Sequence, residues 1–403
     1  MLKLSEYDEE MLSGKQGEAK QLAMQTLLKL AEAFSVEEFT DIVSVQTISQ
    51  YGELHESGSC WVGKLACMGG KCCVATTQDP ASIPFKVYKE MGYDEKIAEK
   101  QLRLREDIIK LGELPTWSCT PYYQGNTPRL GQNVAWAESS SVSYANSVLG
   151  ARSNRTPAGI DLCAALTGRM PKYGLYLTEN RKAQIKIVLE AGELSDLDYN
   201  TLGVLLGKIC GEKIPGIYGM LPTASNDNLK QLGASAAASG SVALFHAIGV
   251  TPEATLTDPF SGSKPTEEVL ITRKMLDETQ NSLSTKNPGE VDLVVVGCPH
   301  SSALEVIEIN ELMKGKKVQE GKQLWIYTTL ETENLMESMG IADQLKESGA
   351  KILSQNCLMV GELVGNHGTL MTNSGKFASY IPSEFDVELA YGSIEECVNS
   401  VAK

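Results

Sequence analysis

Two cysteines lie where the strands of a parallel sheet would present reactive groups. Cys298 follows the apolar run 291–297 and precedes a predicted helix over 302–313, and Cys357 lies near the end of the apolar run 350–360. In open α/β sheets, ligands gather at the carboxyl ends of the strands, and a helix N-terminus there stabilises a thiolate or a bound anion. Both cysteines are therefore candidate metal ligands or nucleophiles. The alternative for each is a small thiol buried in the core.

A third candidate, Cys119, lies in the segment 115–180, which is dense in Gly, Pro, Ser, Asn and Tyr. A long irregular stretch inside a compact protein is usually functional, so we predict an ordered polar interior there. The chain has no CxxC pair, which gives little support to a structural zinc site. An iron or iron–sulfur site built from distant cysteines stays open. The other cysteines are predicted to be structural, with Cys60 and Cys67, in a predicted glycine-rich loop, as the leading exceptions.

Two short segments combine small polar residues with a cation. Residues 153–159 contain Arg155, and residues 372–380 contain Lys376. Both side chains can bind a carboxylate or a phosphate, Arg through two parallel hydrogen bonds, and Gly375 would let the backbone approach a ligand closely. The second segment lacks the glycine spacing of a Walker loop. The alternative for both segments is a well-capped turn that carries a surface cation.

Three residues are candidate acids or bases: Glu138, Asp161 and His55. Glu138 lies between Trp136 and a run of serines, where burial would raise the pKa of its carboxyl group. His55 has a simpler alternative, which is a hydrogen-bonded loop or core histidine.

The elements that must position these residues are predicted from periodicity. Ser5 can cap a first helix, and apolar residues recur at helical spacing up to Ala31. We predict a strand over 42–49, loops and short buried strands over 53–75, and helices over 93–114 and within 227–248. The last third alternates strand, helix, strand, helix, strand (291–297, 302–313, 323–329, 333–340, 350–360), which favours a parallel sheet covered by helices.

Length and charge limit the remaining possibilities. A chain of 403 residues favours two or three domains, with approximate limits 1–115 (N-terminal α/β), 116–285 (central, site-forming) and 286–403 (C-terminal α/β). A net charge of −15 disfavours nucleic acid and anionic membranes as partners. No apolar run is long enough to span a bilayer, and residues 1–12 have no signal-peptide core. We therefore expect a cytoplasmic protein, where cysteines do not form a disulfide framework.

Several long phrases of the sequence resemble the aconitase X family. They include WSCTPYY (117–123), the run from WAESSS to SNR (136–155), GCPHSSALE (297–305) and TNSGKFASYIP (372–382), and they occur in the family's order over nearly the whole chain. The resemblance implies an aconitase-like, multidomain α/β fold with parallel sheets that lacks the fused swivelling domain. It also implies an iron-dependent dehydratase acting on a small hydroxy acid, either cis-3-hydroxy-L-proline or phosphomevalonate in different branches.

The same resemblance implies roles for individual residues. Iron, as a mononuclear ion or an iron–sulfur cluster, would be held by Cys119, Cys298 and Cys357. A separate small subunit would carry the swivelling domain and a serine that acts as the base. Our hypothesis is that Arg155 and Lys376 bind the substrate carboxylate, and that four further residues orient the substrate: Ser140, Asn154, His55 and Ser374.

The sequence also departs from family patterns. Aconitase proper has a CxxC pair among its cluster ligands, which is absent here. Relatives associated with phosphomevalonate carry an NREGG-like phrase where residues 154–159 read NRTPAG, which favours cis-3-hydroxy-L-proline or a similar substrate. Two alternatives of other classes remain: a non-enzymatic, iron-binding regulator, and a hydrolase that uses Cys298 as nucleophile with His300.

Overall fold

The structure, a computed structural model, describes residues 2–285, 291–359 and 364–403. Its helices are α1 Glu6–Leu12, α2 Glu18–Ala33, α3 Tyr51–Cys67, α4 Tyr88–Met91, α5 Glu95–Leu111, α6 Ser139–Ser147, α7 Ile160–Thr167, α8 Asp196–Cys210, α9 Asn226–Gly240, α10 Pro252–Leu256, α11 Arg273–Ser282, α12 Ala303–Met313, α13 Leu330–Ser338, α14 Ile341–Glu347, α15 Gly375–Glu384 and α16 Ile394–Val401. No helix within the described residues is long and apolar enough to cross a membrane.

The strands are β1 Phe39–Asp41, β2 Ser44–Thr47, β3 Ala75–Gln78, β4 Ala135–Trp136, β5 Arg169–Pro171, β6 Ile185–Glu190, β7 Pro215–Tyr218, β8 His246–Ala247, β9 Glu267–Thr272, β10 Leu293–Ser301, β11 Gln323–Thr328, β12 Lys351–Ser354, β13 Thr369–Thr372 and β14 Glu388–Tyr391. Three sheets are parallel, in the orders β3-β2-β4, β8-β7-β6-β9 and β12-β11-β10-β13-β14, and β1 pairs with β5 antiparallel. The parallel α/β fold expected from the sequence is confirmed.

The last third follows the predicted order closely. Strands β10, β11 and β12 and helices α12 and α13 all fall on predicted segments. The run 350–360 forms a strand only to Ser354, so Cys357 lies in the loop that follows β12, and residue 360 lies outside the described residues. The first helix also begins as predicted, because Ser5 and Asp8 form a reciprocal capping box.

The prediction of loops and short strands over 53–75 was wrong for most of its length, because residues 51–67 form α3. Leu54, Val62 and Leu65 are buried along this helix, and burial of that apolar face outweighs the poor helix propensity of its glycines. The helix is interrupted at His55, whose φ is 49° and ψ is −158°. Cys60 and Cys67 are therefore exposed helix residues rather than loop residues.

Three helices pack at unusually close range around the start of α15. A Cβ added at Gly240 of α9 would meet the Gly207 carbonyl oxygen of α8 at 1.8 Å, so glycine is required at that crossing. A Cβ added at Gly375 would meet Ser235 Oγ at 2.6 Å and the Asn200 carbonyl oxygen at 2.9 Å. The first turn of α15, which carries Lys376, is thereby pressed against the α8–α9 pair.

Strand β10 contains an irregular stretch. Val296 pairs with Ile326 and Ser301 pairs with Thr328, so residues 297–300 face a single residue of β11. Gly297, at φ 99°, makes this possible, because a Cβ there would lie 2.0 Å from the Tyr327 carbonyl oxygen. The stretch holds Cys298 and His300 at the carboxyl end of the sheet.

Candidate active site

The carboxyl ends of two parallel sheets supply the polar residues of one buried region. Asp79 directly follows β3, and Glu138 follows β4. Cys298 lies in the last part of β10, and Lys376 lies in the second residue of α15, after β13. The central segment contributes further buried polar side chains there, namely Ser118, Thr120, Ser140, Ser141 and Ser143. This burial confirms the predicted polar interior, although helices α6 and α7 also run through the segment.

The three predicted metal ligands share this region. Cys119 and Cys298 are buried and Cys357 is partly buried. Burial raises the pKa of each thiol, to about 11 for Cys298, and the charges of Asp79 and Lys376 act on the pKa of all three. The thiols are therefore protonated at neutral pH unless a metal ion or another strong electrophile stabilises the thiolate form.

His300 touches each of the segments that carry these cysteines. Its backbone N–H donates to Cys119 Sγ at 3.2 Å. Its Nδ1 lies 3.3 Å from Ser118 Oγ, and its Nε2 lies 3.0 Å from the Asn356 carbonyl oxygen. Burial lowers the pKa of His300 to about 4, so the ring is neutral at neutral pH.

A buried ion pair joins Lys376 to Glu138. Lys376 Nζ donates to Glu138 Oε1, while Glu138 Oε2 accepts from the Ser140 and Ser141 backbone N–H groups at 2.6 Å and 3.0 Å. Burial raises the pKa of Glu138, but the charge of Lys376 and these hydrogen bonds outweigh it and leave the pKa below its usual value. The prediction of a raised pKa was wrong, because the sequence does not show that a cation faces this carboxylate.

Three of the predicted substrate-orienting side chains are already bonded within the protein. The Asn154 side chain accepts from the Leu175 N–H at 2.8 Å and donates to the Tyr173 carbonyl at 3.0 Å. Ser140 Oγ donates to Glu138 Oε2. Ser374 Oγ donates to the Cys298 carbonyl and accepts from the Phe377 N–H, so it caps α15 and restrains Cys298. Each of these side chains therefore has partners within the protein in the absence of a substrate.

Two predicted residues remain available to a ligand. Arg155 is exposed and makes no hydrogen bond or ion pair with the described residues; it lines a cavity of about 920 Å³ together with Lys213. Its charge acts on the pKa of Tyr380 in α15, as does that of Lys376. His55 is also exposed, at the kink of α3, and no described contact joins it to the cysteines.

A second cavity, of about 430 Å³, is lined by the predicted acid–base candidate Asp161 together with Glu53 and Glu113, which sequence reasoning missed. Burial raises the pKa of Glu53, which Glu138 and Lys376 also influence, and raises the pKa of Asp161 to about 7. Asp79 was missed as well, although a polar residue directly after a buried strand is the signal that singled out Cys298.

The donor set suits a soft metal centre. The segments that carry the three thiols are joined through His300. Two buried oxygens, Asp79 Oδ1 and Asn356 Oδ1, have no hydrogen-bond partner among the described residues, as expected where a further group belongs. Within residues 2–285, 291–359 and 364–403, no three His, Cys, Asp or Glu side chains are grouped closely enough to hold one metal ion. Sulfurs that bind separate irons of a cluster need not approach as closely as those that share one ion.

Comparison with known proteins identifies the fold and the family. The models of the aconitase X first, second and third domains match residues 1–179, 183–281 and 291–403. The crystal structure of Thermococcus kodakaraensis aconitase X in its holo-form aligns with a TM-score of 0.89 and 33% identity, covering 99% of this chain and 100% of that chain. The chain therefore belongs to the aconitase X family.

Two named relatives are dehydratases. The phosphomevalonate dehydratase large subunit of Methanocaldococcus jannaschii is 36% identical, with 98% of each chain covered. The cis-3-hydroxy-L-proline dehydratase of Pseudomonas aeruginosa is 33% identical over 99% of this chain and 70% of that protein. The expected enzyme class, a hydro-lyase of the aconitase X family, is confirmed, and the two names leave the substrate open.

Proposed function

We propose that this chain is the catalytic large subunit of an iron-dependent dehydratase that removes water from a small β-hydroxy acid. The observation that carries the proposal is the joining of three buried cysteine segments beside the Lys376–Glu138 ion pair. Cys119, Cys298 and Cys357 would hold the iron, as an iron–sulfur cluster or as a single ion. Such a group supplies a Lewis acid for a leaving hydroxyl, which is otherwise a poor leaving group.

The protein's own cations would bind the substrate carboxylate. Burial lowers the pKa of Lys376, but Glu138 and the nearby thiols hold it well above its usual value. Lys376 is therefore a fixed cation and not a base. Arg155, exposed at the cavity of about 920 Å³, is free to form two parallel hydrogen bonds with a carboxylate or phosphate.

Two substrates remain candidates. We propose cis-3-hydroxy-L-proline as the first, because residues 154–159 read NRTPAG where relatives associated with phosphomevalonate carry an NREGG-like phrase. Arg155 and Lys213 at the larger cavity would suit the phosphate of phosphomevalonate, the second candidate. The 36% identity to a phosphomevalonate dehydratase large subunit also favours the second.

A separate small subunit would complete the site. The relatives named as large subunits are matched over nearly their full length, whereas the Pseudomonas enzyme extends well beyond the matched part. We propose that the small subunit carries the swivelling domain and the serine base that removes the α-proton. Lys376 is not available for that step, because it is protonated and paired with Glu138.

The test is anaerobic iron and sulfide analysis, followed by assays of both candidate substrates with and without a co-expressed small subunit. Cys298→Ser should lose iron and activity. Cys397→Ser is the matched control, because Cys397 is equally buried but lies in α16, and it should keep both. Full iron content in Cys298→Ser would overturn the assignment of the ligands, and turnover of neither substrate by the reconstituted pair would overturn the proposed activity.

A further inference from the structure

His300 occupies an unusual place for a histidine. It lies in the irregular stretch of β10 and is almost completely buried, with 2% of its surface exposed. Both ring nitrogens have partners, Ser118 Oγ and the Asn356 carbonyl oxygen. A neutral imidazole offers one donor and one acceptor, so both are used and neither nitrogen is free to activate Cys298. This arrangement disfavours a hydrolase with a Cys298–His300 pair.

The partners of His300 lie next to the proposed ligands. Ser118 precedes Cys119, and Asn356 precedes Cys357. His300 itself is two residues beyond Cys298. The His300 side chain therefore connects its own segment to two others, 182 and 56 residues away along the chain. The His300 backbone N–H also donates to Cys119 Sγ at 3.2 Å.

A buried lysine contacts the backbone of His300. Lys230 of α9 is completely enclosed, and its Nζ lies 3.4 Å from the His300 carbonyl oxygen. Its charge is compensated by Asp227 at 2.8 Å and by Glu305. Glu305 also accepts from the Ser302 N–H at the start of α12. Because a buried cation must keep its partners, this network restrains the backbone at His300.

We propose that His300 is a positioning residue: its imidazole sets the relative positions of the Cys119, Cys298 and Cys357 segments, and its N–H tunes the Cys119 sulfur. A hydrogen bond to a ligating sulfur stabilises the reduced state of an iron–sulfur centre and so raises its potential. The effect of the N–H on the iron centre rests on the proposed function. The joining of the three segments by the imidazole applies to the metal-free protein as well.

Two conservative variants separate the contacts of the ring. In Gln, the terminal amide reaches the position of Nε2, so His300→Gln can keep the bond to the Asn356 carbonyl. In Asn, the amide lies nearer the position of Nδ1, so His300→Asn can keep the contact with Ser118. His300→Ala removes both and leaves the backbone N–H. His246→Gln is the matched control, because His246 is also buried and bonds the Arg181 carbonyl through Nε2 at 2.7 Å.

The first measurement is hydrogen–deuterium exchange on the metal-free chain. His300→Ala should speed exchange in the peptides around Ser118–Cys119 and Asn356–Cys357, His300→Gln should restore protection around Asn356, and His246→Gln should alter neither region. If a folded His300→Ala protein protects both regions from hydrogen exchange as strongly as the wild type does, the proposal is overturned, whether or not the wild-type chain binds iron.

The second measurement follows anaerobic reconstitution with iron and sulfide. Loss of a group that orients metal ligands typically lowers metal affinity roughly 10- to 100-fold, so His300→Ala should show that loss and an altered visible spectrum, with partial rescue in His300→Gln. An unchanged iron affinity and an unchanged visible spectrum in His300→Ala would refute the positioning role. Failure of the wild-type chain to take up iron would instead refute the proposed function, and hydrogen exchange would still decide the role of His300.

Discussion

Replacing Gly297 by alanine should destabilise the protein and displace Cys298. At φ 99° the backbone conformation costs a non-glycine residue about 1–3 kcal/mol. The new Cβ would also lie 2.0 Å from the Tyr327 carbonyl oxygen, and relieving such an overlap by shifting backbone costs about 1–3 kcal/mol more. Because the overlap involves the main chain of β11, β10 must move, and it would carry Cys298 with it.

Gly321→Ala is the matched control. Gly321 has φ 80° and lies just before β11, but nothing lies within 4 Å of an added Cβ, so only the backbone cost of about 1–2 kcal/mol remains. Both variants would be compared with the wild type by denaturant unfolding followed by circular dichroism, and by iron content after reconstitution. We expect Gly297→Ala to be the less stable variant and to lose iron. Equal unfolding midpoints and equal iron content for the two variants would refute the reasoning.

Two further predictions concern buried charge. Glu138→Gln leaves Lys376 buried without its counter-charge, so the free energy of unfolding in urea should fall by about 3–5 kcal/mol. The control Glu268→Gln breaks a surface pair with Lys186 and should have little effect. Similar losses of unfolding free energy in the two variants would contradict the buried pairing. Burial also lowers the pKa of His246, so the unfolded state binds more protons as the pH falls below about 6.5. The free energy of unfolding should therefore decline as the pH falls through this range, and urea titrations should show a weaker decline in His246→Gln between about pH 7.5 and about pH 5.5. The same decline in the variant and the wild type would contradict a lowered His246 pKa.

Three of the five strands of the C-terminal sheet, β10, β11 and β12, were predictable because they and the helices between them are encoded locally; β13 and β14 were not predicted. Apolar runs of strand length alternate with helical periodicity between residues 291 and 354, and this order is typical of a parallel sheet. The position of Cys298 at a strand end followed from the same pattern. Helix α3 was missed because Gly58 and Gly63 suggest a loop, while the packing of its apolar face is visible only in the folded protein.

The electrostatics of the site could not be predicted from the sequence. Lys376 meets Glu138 across 238 residues of chain, and this distant contact decides the direction of the Glu138 pKa. The hydrogen bonds of Asn154 to the Tyr173 carbonyl and of Ser374 to the Cys298 carbonyl also join separate parts of the chain, 19 and 76 residues apart. The roles of the predicted site residues, and the domain limits near residues 115 and 285, stay predictions.

The spread of the site along the chain has a consequence for biosynthesis. Asp79 and Cys119 are synthesised well before Lys376 and its helix α15. A nascent chain therefore lacks the complete constellation until α15 has left the ribosome. Before β10 has emerged, Cys119 has neither His300 nor Cys298 beside it. Iron held by all three cysteine segments would accordingly be inserted only after this late part of the chain has been made.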